Sequence, residues 1–138
     1  LKLEITESAV MRNPEITRTV LGELRDLGLR IALDDFGTGY SALGALRHYS
    51  VDTIKIDRGF TTRLDTEDGR ELVLVLLKIA RIYGAAVISE GIETTAQRDI
   101  LRSAGCDFGQ GYLFAKPRDG MFFGAYALTH LVEAIAIE

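Results

Sequence analysis

The sequence is short of several residue types, and each shortage excludes something. Tryptophan is absent, and there are one cysteine, two prolines and two histidines in 138 residues. A lone Cys106 rules out an intrachain disulfide and leads us to expect a reducing, cytoplasmic setting. His48 and His130 stand apart, without the His or Cys spacing of a zinc site. Positive charge is also scarce: the net charge is -4 and the pI about 5.2, which argues against a nucleic-acid polymer as partner. No long apolar run occurs. The stretch from Leu72 to Ala80 is too short for a membrane span and carries Lys78, and no signal peptide is evident. No low-complexity segment or flexible linker appears. An initiator methionine is missing too, and Leu1 opens directly on a strand-like pattern, so we expect a chain cut from something longer.

What remains is enough for a core. Hydrophobic residues make up 47% of the chain and the mean hydropathy is +0.12. Leu1, Leu3 and Ile5 alternate with Lys2, Glu4 and Thr6, the period of a strand. Asn13-Pro14 reads as a helix start, with Ile16, Val20, Leu24 and Leu27 on one face and Gly28 as the stop. Strands are expected over 30–34, 53–57 and 85–90, and an extended segment over 107–113. Helices are expected over 41–49, 71–83, 94–104 and 119–137, with 65–70 as a polar loop. This β-α alternation implies α/β architecture with a parallel sheet. A full eight-unit barrel needs about 250 residues. The chain supplies about five βα units, the C-terminal portion of a TIM-type (β/α)8 barrel, in one partial domain covering 1–138. The competing architecture is an open doubly wound sheet, but no GxGxxG follows a strand.

Glu4, Asp34, Lys55 and Glu90 each fall at or near the C-terminal end of an expected strand, and Asp35 adjoins Asp34. Sites of parallel α/β folds form at that edge. Four carboxylates and one lysine make an acidic, oxygen-rich pocket suited to Mg²⁺, Mn²⁺ or Ca²⁺ rather than zinc. Taken singly, each has a plainer reading: a solvated strand-end glutamate, a snorkelling Lys55, a tight turn at Gly37 and Gly39. Asp57 and Arg58 read as a structural pair or a helix cap. Their shared topological position is what favours a site.

Five segments then resemble one family. Leu3-Glu4-Ile5-Thr6-Glu7-Ser8, Asp34-Asp35-Phe36-Gly37-Thr38-Gly39-Tyr40-Ser41, Ile54-Lys55-Ile56-Asp57-Arg58, Ser89-Glu90-Gly91-Ile92-Glu93-Thr94 and Gly109-Gln110-Gly111-Tyr112 resemble, in this order, the EAL domain of bacterial phosphodiesterases that hydrolyse cyclic di-GMP. The resemblance implies a two-metal Mg²⁺ or Mn²⁺ site inhibited by Ca²⁺, with linear pGpG as product. It implies that Glu4 and Asp34 bind the first metal, Asp35 and Glu90 the second, and that Lys55 holds the attacking water. Lys55 and Glu90 are the catalytic candidates. Glu7 is implied as the anchor of the Phe36–Ser41 loop, with Thr38 in that loop. Glu93 and Gln110 are implied as supports at the rim. Ser89 and Ile92 are mild variants, since Ala and Val are commoner there.

The resemblance also implies a homodimer through the Phe36–Ser41 loop, and sensory or GGDEF-type domains upstream. A membrane tether on a longer parent stays compatible with a cytoplasmic domain. The family's name-giving Glu-Ala-Leu segment and an Asn ligand of the first metal do not occur in these residues. The expectation is that the 138-residue chain by itself is inactive or nearly so. The alternatives are a cyclic di-GMP sensor that does not cleave its ligand, and a dimerisation scaffold.

Overall fold

The computed structural model describes residues 1–39, 49–117 and 120. The helices expected over 41–49 and 119–137 therefore lie outside the described residues, apart from Tyr49 and Gly120. Among the described residues, five parallel strands form one sheet in the order β1-β2-β3-β4-β5. They are β1 (Lys2–Thr6), β2 (Arg30–Phe36), β3 (Thr53–Ile56), β4 (Ala86–Ser89) and β5 (Phe108–Gly109). Between and after them run α1 (Glu7–Arg12), α2 (Pro14–Asp26), α3 (Arg58–Thr61), α4 (Glu67–Ile82) and α5 (Thr95–Ser103). Each strand pairs with its successor in sequence, so the order contains no reversal. A doubly wound sheet needs one. Sequential parallel neighbours joined by right-handed crossovers build a barrel wall instead.

The register decides which side chains share a face. Glu4 pairs with Ala32, Ala32 with Thr53, and Thr53 with Ala86. Lys55 pairs with Ile88. Partners in a parallel ladder point the same way and alternate along each strand. Glu4, Asp34, Lys55 and Glu90 thus belong to one face, which they share with the small residues Ala32, Thr53 and Ala86. Ile31, Leu33, Ile54, Ile56 and Val87 belong to the other, and all are buried in the core. In β3 every residue is buried, as expected of a strand covered on both sides. β1 has one neighbour, and Leu3 and Glu4 remain exposed.

The helices differ from the sequence reading in four respects. α1 was not expected; Thr6 caps it by accepting a hydrogen bond from Ala9 N–H. α2 starts at Pro14 under the Asn13 cap as expected, but the face is rotated: Leu21 is buried, whereas Ile16 is 60% and Leu27 77% exposed. The helix lies over α1 and β2 near the sheet edge, which covers only a narrow stripe of it. Of the 65–70 segment only Asp65 and Thr66 lie outside a helix. Thr66 accepts from Gly69 N–H, and Glu67 and Asp68 favour the positive helix end, so α4 begins a turn earlier. Finally, α3 fills the space after β3, capped by the Asp57 carboxylate on Gly59 N–H at 2.8 Å. β5 is also shorter than the expected 107–113 segment, spanning two residues.

Candidate functional site

Three strands deliver carboxylates to one ammonium. Lys55 Nζ lies 2.8 Å from Glu90 Oε1, 2.9 Å from Glu4 Oε2 and 3.1 Å from Asp34 Oδ1. Its side chain is 7% exposed. Burial alone pushes such an ammonium toward the neutral form. The hydrogen bonds to Glu90, Glu4 and Asp34 together outweigh it, so the Lys55 pKa stands above its ordinary value of 10.5. At neutral pH Lys55 is a cation and a donor, not a base. Three carboxylates against one ammonium leave two negative charges, and each carboxylate keeps a second oxygen.

Asp35 stands differently from its neighbour. The ladder slips between Leu33 and Phe36, and Asp35 takes a left-handed backbone at φ 56°. For a residue other than glycine that conformation is strained and uncommon. The turn is held by Thr38, whose N–H and hydroxyl both donate to Asp35 O, the latter at 2.8 Å. Asp35 N–H donates to Asp34 Oδ1 at 3.1 Å. Its carboxylate makes no ion pair with Lys55 among the described residues. The structure thus gathers Glu4, Asp34 and Glu90 on Lys55 and sets Asp35 beside them on a turn.

Glu7 is 2% exposed and lies under the following loop. Gly37 N–H donates to its Oε2 at 3.3 Å, while Oε1 has no partner among the described residues. A Cβ on Gly39 would come within 2.5 Å of that oxygen, so the loop approaches Glu7 more closely than other residues allow. Tyr40 and Ser41, which complete the loop, lie outside the described residues. Glu93 pairs with Arg58 at 3.1 Å, so Arg58 is not partnered by Asp57, which instead caps α3. Gln110 contributes its backbone, donating to Ser89 O and accepting from Ile92 N–H.

Sequence reasoning passed over two hydroxyls. Thr61 and Ser89 are fully buried, with their oxygens 2.9 Å apart. Ser89 had shown only as a mild variant, and nothing local marks Thr61.

The architecture has counterparts in known proteins. The family model described as EAL domain matches residues 1–117. The chain belongs to the EAL domain family. It is 40% identical over 118 residues, 85% of its length, to the cyclic di-GMP phosphodiesterase NbdA of Pseudomonas aeruginosa, of which it spans 15%. The crystal structure of the EAL domain of Mycobacterium smegmatis DcpA superposes with a TM-score of 0.88 at 39% identity, covering 93% of this chain and 58% of that one. The PaMucR phosphodiesterase, solved as a c-di-GMP complex, gives 0.84 at 36% identity, covering 89% and 50%. The chain spans a fifth or less of the curated relatives it matches. As an EAL domain segment it is the α/β, TIM-type portion of such a domain.

The donor set can be judged for a metal on its own chemistry. All candidate ligands are carboxylate oxygens, hard donors that suit Mg²⁺ or Mn²⁺. Among the described residues, no three His, Cys, Asp or Glu side chains form a ready cage, because Lys55 stands between them. The charge and donor type fit a divalent ion.

Proposed function

We propose that this chain is the C-terminal part of a divalent-metal-dependent phosphodiesterase that opens cyclic di-GMP to linear pGpG. The observation that carries this reading is the convergence of Glu4, Asp34 and Glu90 on Lys55 at one sheet rim. A phosphodiester is anionic, so attack by water needs positive charge and an acceptor for the water's proton. Lys55 supplies a fixed positive charge; its three N–H groups are held by Glu4, Asp34 and Glu90, so donation to a phosphate oxygen or to the attacking water requires one of these carboxylates to release it. We assign to Glu90 the role of receiving the proton. The water oxygen bonds to phosphorus as the P–O3′ bond breaks, and the departing O3′ takes the proton back from Glu90, leaving a 5′-phosphate and a free 3′-hydroxyl. Glu4, Asp34, Asp35 and Glu90 would hold Mg²⁺ or Mn²⁺, which when bound supplies Lewis acidity and positive charge. Glu93, Gln110, Thr38 and Glu7 keep the rim and the adjoining loop in place.

The relatives' names support the substrate: NbdA is named a cyclic di-GMP phosphodiesterase, and PaMucR was solved with c-di-GMP. The cytoplasm, a homodimer through the Phe36–Ser41 loop and upstream sensory or GGDEF-type domains complete the proposal. No helix among the described residues is long and apolar enough to cross a membrane.

The test is chromatography of cyclic di-GMP incubated with the complete protein and Mg²⁺ or Mn²⁺. We expect pGpG, loss of turnover in Asp34→Asn, and inhibition by Ca²⁺, whose looser coordination misplaces the reactants. Binding without cleavage would assign the domain to a sensor. Neither binding nor cleavage would leave a scaffold.

A further inference from the structure

Glu90 leaves the sheet facing the rim, while Ser89 before it faces the helix layer. There the Ser89 hydroxyl meets the Thr61 hydroxyl at 2.9 Å, both residues wholly buried. Thr61 ends α3, the single turn that follows Lys55 through Ile56 and Asp57. We propose that Thr61 and Ser89 are positioning residues: through them α3 fixes where Glu90 stands relative to Lys55.

The segment 89–94 is tied to α3 at both ends. At its start, Ser89 holds Thr61, Ser89 O accepts from Gln110 N–H, and Glu90 N–H donates to Ile56 O at 3.0 Å. At its end, Gln97 acts as a latch. Its Oε1 accepts from Glu93 N–H at 2.9 Å and Thr94 N–H at 3.0 Å, and its Nε2 donates to Thr61 O at 3.3 Å. Arg58 adds a third tie, pairing with Glu93 while its stem lies against Gly91. Gly91 has φ 70°, and a Cβ there would collide with that stem. Two hydroxyls in an apolar layer must satisfy one another, and the bond has a direction that packing between methyl groups lacks. It therefore sets the height of β4 against α3. Because Lys55 and Glu90 sit on the strands flanking α3, that height sets their 2.8 Å contact.

The catalytic half of the proposal rests on the phosphodiesterase reading; the geometric half does not. The experiment pairs hydrogen exchange with steady-state kinetics on the complete protein. In Thr61→Val and in Ser89→Ala we expect amide exchange over 89–94 to quicken about three- to tenfold, the range one lost hydrogen bond spans. Exchange over 30–36 should hold at the wild-type rate. The double variant should exceed neither single one, since one bond is removed once. kcat should fall by a similar factor with KM unchanged, and Thr61→Ser, which keeps the hydroxyl, should restore both readouts. Unchanged exchange over 89–94, or quickening shared equally by 30–36, overturns the geometric half. Unchanged kcat, or a change in KM alone, overturns the catalytic half. A wild-type protein that cleaves no cyclic di-GMP removes the phosphodiesterase reading and leaves exchange to decide the geometry.

Discussion

Lys55 shows how one residue can govern a rim. Replacing it with Met leaves Glu4, Asp34 and Glu90 facing one another without a cation. The carboxylates are partly solvated, so the full cost of an unpaired buried charge does not apply. We expect a loss of about 1–3 kcal/mol by urea unfolding, partly recovered by millimolar Mn²⁺. The pH dependence has a definite sign. The folded pKa of Lys55 is raised above 10.5, so its stabilisation is fully present below that value and is lost as pH rises through the higher one. The stability gap between wild type and Lys55→Met should stay constant from about pH 7 to 9 and shrink only in stronger alkali. A gap that closes below pH 9 would contradict this ion cluster. Glu4, Asp34, Lys55 and Glu90 were legible in sequence because two-residue alternation and strand ends place them together. That Asp35 stands where the strand gives way to a turn was legible too, from the adjoining Gly37 and Gly39; its left-handed backbone, closed locally by Thr38, was not.

At the level of elements, side-chain caps carried the clearest signals. Thr94 and Gln97 form the expected capping box at α5, and Asn13 caps α2. The one-turn α3 and short α1 left no periodic pattern to read, and the buried face of α2 depended on what the sheet offered it. A repeated device at the opposite end of the sheet was also hidden. Asp52, just before β3, accepts from Ile31 N–H of β2, and Asp107, just before β5, accepts from Val87 N–H of β4, each at 2.8 Å. Each carboxylate continues a ladder beyond the paired residues. Asp52→Ala and Asp107→Ala should each cost about 1–2 kcal/mol in thermal unfolding. Because they lie away from the rim, kcat of the folded complete protein should not change. A kcat loss with unaltered unfolding would contradict that assignment.

For the molecule as a whole, the β-α alternation was enough to give a parallel sheet, and the consecutive strand order resolved barrel against doubly wound sheet. Among the described residues the two end strands are thinly covered: β1 is largely exposed, and β5 is two residues long. Such edges offer unpaired backbone groups to other chains. We expect the 138-residue chain alone to self-associate in size-exclusion chromatography. It should turn over cyclic di-GMP far more slowly than the complete protein; equal rates would contradict that dependence on further strands.

The ammonium at the centre of the rim also bears on the order of assembly. Apo protein already has a counter-charge for its acidic side chains, so the fold need not wait for an ion. Chelation should then abolish turnover while leaving the melting temperature nearly unchanged, unlike small domains whose folding is driven by their metal. On the proposed phosphodiesterase reading, loading and folding would be separate events, and ion supply could switch turnover without unfolding the chain.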